Sequence, residues 1–232
     1  MSETLDWPTV KTKLRWKQGE HVVAIAPTGA GKTTLFTELM PYRAANLFFG
    51  TKLADPMYNH MLRNMGYTRV EHMSEIRPWH KNKILLWPRK GKSIRETMQI
   101  QHDRFDEALN AIATDEQPWT LWLDEAKYAA ENLGLKMPIT YCVEQLRSIG
   151  GTVVCGAQRP AFVPQSVLSN ASHAFLWKTT HRDDAIKLSD MGGIDARAIR
   201  DEALTLDAHE MLYIKTRGTQ SQVIRTEVKK GT

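Results

Sequence analysis

Directly behind an apolar run, HVVAI at 21–25, the chain places APTGAGKTT at 26–34 and then resumes an amphipathic pattern in LFTELM. No other feature constrains the fold as much. A short apolar run bounded by turn residues reads as a buried strand, and the spacing that follows reads as a helix. The two glycines between them let backbone N–H groups curl round an anion, and the helix turns its positive end to the same place. The stretch is read as a phosphate cradle joining a strand to a helix.

The pattern for such a cradle, G-x-x-x-x-G-K-[ST], begins with glycine, and here that place is Ala26. The groups that hold phosphate are intact. Thr28, Gly29, Ala30, Gly31 and Thr34 are expected to line the nucleotide, with Lys32 between the outer phosphates and the Thr33 hydroxyl on a magnesium ion. This motif is the P-loop, and the cofactors it implies are ATP and Mg2+.

Along the rest of the chain, apolar runs alternate with longer amphipathic stretches, the sequence form of an α/β fold with a parallel sheet and crossover helices. Strands are expected at 21–26, 45–51, 83–88, 120–126, 152–158 and 173–179, with helices in KTTLFTELM, DPMYNHMLRNMG, SIRETMQIQHDRFDEALNAIA, ITYCVEQLRSIG, DDAIKLSDMGG and IDARAIRDEALTL. HEMLYIKTRG and SQVIRTEV are expected to close as a β-hairpin around Gly218. The organisation expected is an N-terminal extension at 1–20, a P-loop domain at 21–217, and a C-terminal strand and tail at 218–232.

In WTLWLDEAKY the apolar run stops at two adjacent acids, Asp124 and Glu125. At the carboxyl end of a parallel strand they would project into the crevice where open sheets bind ligands. Asp124 is assigned to the magnesium ion and Glu125 to the water that attacks the outer phosphate. Simple nucleotide kinases and switch GTPases usually lack a second acid used in this way, so the pair points to hydrolysis by a motor.

A third constellation is RSIGGTVVCGAQRP at 147–160, a strand ending in the amide of Gln158, which both donates and accepts hydrogen bonds. With the P-loop, the acidic strand and this Gln-Arg-Pro signature in order, the sequence resembles the FtsK/HerA superfamily of P-loop motors over roughly 20–217. The resemblance implies an ASCE, RecA-like fold with a mainly parallel central sheet flanked by helices. It implies that Gln158 senses the outer phosphate. It also implies that Arg147 reaches into a neighbour's site within a homo-oligomeric ring, a pentamer or hexamer, with Arg159 as the rival candidate. The chain has no room for the extra domains of larger members. It is similar in that respect to the minimal packaging ATPases of some double-stranded DNA viruses, which implies a DNA translocase with a portal or capsid protein as a further partner.

Lysine and arginine number 31 against 26 acids, a net charge of +5 that mildly favours an anionic partner. From Arg77 to Arg95 the chain carries Arg77, Lys81, Lys83, Arg89, Lys90, Lys92 and Arg95 with no acid among them. Arg89, Lys90 and Lys92 are the candidates for double-stranded DNA phosphates. Trp79 and Trp87 either stack on bases or pack internally, and Trp7 and Trp16 either cover an adenine or cap the core. Only Cys142 and Cys155 are present, too few for a disulfide framework, so a reducing compartment is expected. Scattered histidines and the lack of H-E-x-x-H or G-x-S-x-G leave no case for zinc or serine-hydrolase chemistry. No apolar stretch approaches the roughly eighteen residues of a membrane span, and no signal peptide opens the chain, so the protein is expected in the cytoplasm, or at a packaging vertex of a virion. The alternative function is a P-loop ATPase of phage assembly or secretion that works on protein partners without moving DNA.

Overall fold

The computed structural model describes residues 2–76, 82–179, 182–191, 195–217 and 222–228. Among these, one sheet is built from β1 (Glu3–Thr4), β2 (His21–Ile25), β3 (Asn46–Phe49), β4 (Thr68–Val70), β5 (Lys83–Leu86), β6 (Thr120–Leu123), β7 (Thr152–Ala157), β8 (Ala171–Trp177), β9 (Glu210–Lys215) and β10 (Gln222–Glu227). The order across it is β1-β10-β9-β8-β2-β7-β6-β3-β5-β4. β9 runs antiparallel to β8 and β10, and the other pairings are parallel. The expected mainly parallel α/β sheet with a C-terminal antiparallel pair is what forms. Gly218, Arg77, Trp79 and Lys81 lie outside the described residues.

Strands β2, β3, β6, β7 and β8 are buried from end to end, which is why they read as unbroken apolar runs. Their alternating side chains feed two cores. Val22 and Ala24 pack with α1 (Trp7–Leu14), α2 (Lys32–Leu39) and α3 (Pro56–Asn64). Val23 and Ile25 pack on the other face with α4 (Ile94–Ala113), α5 (Lys136–Gln145), α6 (Gln165–Asn170) and α8 (Ala196–Leu204). The remaining helix, α7 (Arg182–Leu188), contributes Leu188 to this second core.

One residue ties the fold to the site. Trp122 of β6 is fully buried, donates its indole N–H to Asn46 Oδ1 at 2.7 Å, and meets Phe36 of α2 edge-on with ring centroids 5.4 Å apart. It couples the helix behind the P-loop to the strand that carries the acids. Truncating a side chain of this size in a packed core costs about 3–5 kcal/mol.

Helix starts follow their caps. Asp55 accepts from Met57 N, with Pro56 at the first helical position of α3. Ser93 Oγ accepts from Glu96 N and caps α4, while Glu96 Oε2 accepts from Lys92 N, one residue before the cap.

Residues 2–20 pack as part of the sheet's edge and the first core. Leu5 N donates to Arg225 O at 3.0 Å, and Trp7, Val10 and Leu14 are buried. Trp7 and Trp16 cap the core, with Trp16 edge-on to Trp122 and the Arg43 guanidinium 3.7 Å over its ring. Trp87 likewise packs internally, edge-on to Tyr58. β1, β4 and α1 escape the sequence reading because two or three residues are too few to show a period, and α1 draws its stability from tertiary packing. The helix expected in ITYCVEQLRSIG begins earlier, at Lys136, and tightens into a 3-10 turn at Leu146–Ile149. Cys142 and Cys155 are free and buried, and burial pushes both thiols up to about 12. No helix among the described residues is long and apolar enough to cross a membrane.

Candidate nucleotide-binding and hydrolysis site

The loop after β2 leaves the sheet at its carboxyl edge, where Ala26 N still donates to Ala157 O of the neighbouring β7 at 3.0 Å. Gly29 has φ 81° and Gly31 φ 120°, conformations that side chains with a β-carbon rarely adopt. α2 begins at Lys32 with no side-chain cap, so the N–H groups of its first turn are free to receive an anion.

A cavity of about 340 Å³ opens against this loop. Thr28, Gly29, Gly31, Lys32, Thr33 and Thr34 line one wall, and Asp124, Glu125 and Gln158 arrive from the ends of β6 and β7. Ala30 instead faces a second cavity of about 420 Å³ on the loop's other flank, shared with Trp177 and His209.

Lys32 Nζ donates to the Asp124 main-chain oxygen at 2.9 Å and lies 3.4 Å from Asp124 Oδ1 and 4.0 Å from Glu125 Oε1. Asp124 is 2% exposed, and its Oδ1 receives no hydrogen bond. A buried carboxylate oxygen without a donor is costly unless a cation or an ordered water completes it. Lys32 stands 3.4 Å from that oxygen without a hydrogen bond to it, and Thr33 lines the same cavity; the Asp124 carboxylate and the Thr33 hydroxyl fit a magnesium ion, which would take its other ligands from phosphate and water. Burial raises the Glu125 carboxyl above its ordinary value; Asp124 beside it adds to the shift and Lys32 opposes it.

Sequence reasoning missed Lys52, Asp55 and Gly156 as parts of this site. Lys52 Nζ sits 3.1 Å from Asp124 Oδ2 and 2.7 Å from Asp55 Oδ2. Burial works against its charge, but Asp124 and Asp55 outweigh it and push the ammonium pKa up. Gly156 belongs to β7, and a β-carbon there would meet Lys32 Cδ at 3.1 Å. The helix-start signal at Asp55-Pro56 was legible; the proximity of all three to Asp124 was not.

Neither arginine lines this cavity among the described residues. Arg147 lies in the 3-10 turn before β7, on the amino edge of the sheet, and is exposed. Arg159 follows Gln158 on the carboxyl edge, where its Nη2 pairs with the buried Asp184 Oδ1 at 3.3 Å and its guanidinium stands 5.4 Å from the Phe162 ring. Arg89, Lys90 and Lys92 are exposed in the turn between β5 and α4, and no acidic side chain pairs with them among the described residues.

A strand–loop–helix phosphate cradle, an acidic pair two strands away, and an amide-tipped strand inserted between them define the P-loop ATPase fold of the kind with an added central strand. Solved structures share this architecture across nearly the whole chain. The genome packaging NTPase B204 from Sulfolobus turreted icosahedral virus 2, in complex with sulfate, superposes with a TM-score of 0.64 at 13% identity, covering 88% of this chain and 95% of that one. VirB4 of Thermoanaerobacter pseudethanolicus gives 0.64 at 11% identity, covering 91% and 90%. The cytoplasmic domain of the Thermomonospora curvata Type VII secretion ATPase EccC gives 0.61 at 14% identity, covering 91% of this chain and 25% of that one. No protein-family model matches the sequence, and no curated protein does. At these identities the likeness establishes the fold.

Proposed function

We propose that this chain is an ATP-hydrolysing motor that translocates double-stranded DNA as a homomeric ring, in the service of packaging a viral genome into a preformed capsid. The observation that carries the hydrolytic part is the convergence of Lys32, Thr33, Asp124, Glu125 and Gln158 on one cavity. In this reading Lys32 and the N–H groups of the loop bind the phosphates, and Thr33 and Asp124 hold magnesium. The ion would neutralise charge on the outer phosphates. Glu125 takes a proton from the attacking water, helped by a raised pKa that makes it a stronger base. Gln158, beside the start of the loop, orients that water and registers the outer phosphate. Because neither Arg147 nor Arg159 lines the cavity, a guanidinium for the transferred phosphoryl group would come from a neighbouring copy.

DNA is supported by the unpaired basic turn Arg89, Lys90 and Lys92 and by the likeness to a genome packaging NTPase. A second reading, an ATPase of assembly or secretion acting on protein partners, is favoured by the comparable superposition on VirB4 and EccC. ATP turnover measured with and without linear duplex DNA over a salt series separates the two. A translocase is stimulated, and the stimulation falls steeply as salt rises; turnover indifferent to DNA selects the second reading.

A further inference from the structure

The nucleotide cavity contains a cation that the P-loop chemistry does not use. Lys52 is partly exposed, but its backbone is anchored at the cavity's rim. Its main-chain N–H donates to the Tyr58 hydroxyl at 3.3 Å, and its carbonyl accepts from the Trp87 indole at 2.9 Å. Its ammonium bridges Asp124 Oδ2 at 3.1 Å and Asp55 Oδ2 at 2.7 Å. Through Oδ2 it fixes the Asp124 carboxylate and leaves Oδ1 turned to Lys32, 3.4 Å away.

The charge balance shows what the lysine is for. The cavity presents three carboxylates, Asp55, Asp124 and Glu125, against two ammonium groups, Lys32 and Lys52. Without Lys52 the imbalance would grow in a partly desolvated space, where repulsion of an entering polyphosphate is stronger than in bulk water. A divalent cation bound with the nucleotide brings its own charge to the same carboxylates, so Lys52 matters most when that cation is absent.

We propose that Lys52 is a second cationic residue of the nucleotide site, which offsets one of the two charges on Asp124 and Asp55 so that a polyphosphate is accepted even without a divalent cation. The inference rests on the nucleotide-site reading above. The experiment titrates a fluorescent ATP analogue into the wild type, Lys52→Met, Lys52→Arg and the double variant Lys52→Met, Asp55→Asn, each in magnesium and in EDTA. Lys52→Met is expected to lose about tenfold or more in affinity in EDTA and less than about threefold in magnesium, since one neutralised charge is worth at least that factor at short range. Lys52→Arg holds both affinities. The double variant regains most of the EDTA affinity because it removes one carboxylate with the ammonium, and asparagine still caps α3.

Equal losses in both media would overturn the inference, as would no recovery in a double variant whose thermal melt shows it folded. A wild type that binds only with magnesium would overturn it as well. A wild type that does not bind in either medium would reject the nucleotide site itself, which separates the two failures.

Discussion

Gly156 of β7 faces Asp124 so closely that a β-carbon on it would stand 2.7 Å from the Asp124 carbonyl oxygen. That oxygen is the one that accepts Lys32 Nζ at 2.9 Å. The glycine is therefore what allows the strand between the P-loop and the acids to be thin enough for all three to meet. Gly156→Ala must push β6 and β7 apart or dislodge the lysine. It is expected to fold with a loss of about 1–3 kcal/mol, the usual range for overpacking, and to bind nucleotide much more weakly. A thermal melt paired with a nucleotide titration checks this, and an unchanged affinity would mean that the glycine does not position Lys32.

Glu125→Gln separates binding from chemistry. Nucleotide affinity should hold while turnover drops by about 10²–10⁴, the range for losing a general base. The same substitution should raise stability at neutral pH. A carboxyl whose folded pKa lies above its ordinary 4.5 binds its proton more tightly in the fold, so its ionised form costs stability at neutral pH, and that cost is relieved as pH falls through the raised value. Turnover in the wild type, which needs the ionised base, should accordingly fall on the acid side at a pH above 4.5. Melting temperatures of the two proteins across pH, set beside the turnover profile, test both signs.

Arg147 on the amino edge and the nucleotide cavity on the carboxyl edge do not meet within one chain. If Arg147 serves a neighbour, Arg147→Ala and Lys32→Ala should each be inactive alone and regain partial turnover when mixed, at interfaces that pair two intact halves. Absence of rescue at every ratio, with oligomers still forming by light scattering, would turn attention to Arg159 released from Asp184.

Neutralising Arg89, Lys90 and Lys92 together should leave turnover without DNA close to wild type and weaken stimulation by duplex DNA. For every DNA phosphate that the turn no longer neutralises, the log–log dependence on salt should flatten by roughly one in slope. A slope identical to that of the wild type would take this turn off the DNA path.

The candidate site is written in short contiguous pieces, and the placement of those pieces at the ends of strands was legible without a structure. APTGAGKTT must follow a buried strand and open a helix to hold phosphate, Asp124 and Glu125 must close an apolar run to reach the crevice, and Gln158 must tip a strand. Each is a local requirement of backbone conformation and side-chain type, so each leaves a local pattern. The alternation of fully buried strands with amphipathic helices likewise reports a parallel sheet, because both faces of such strands are covered. Tertiary structure alone decided which strands lie side by side. Placing β7 between β2 and β6 makes Gly156 a spacer, and the end of β3 carries Lys52 and Asp55 to Asp124, although 72 positions separate that lysine from its acid. It also put Arg147 on the far edge and tied Arg159 to Asp184. Such relations depend on the packing of distant segments, and electrostatic pairing between them leaves no period or spacing in the chain.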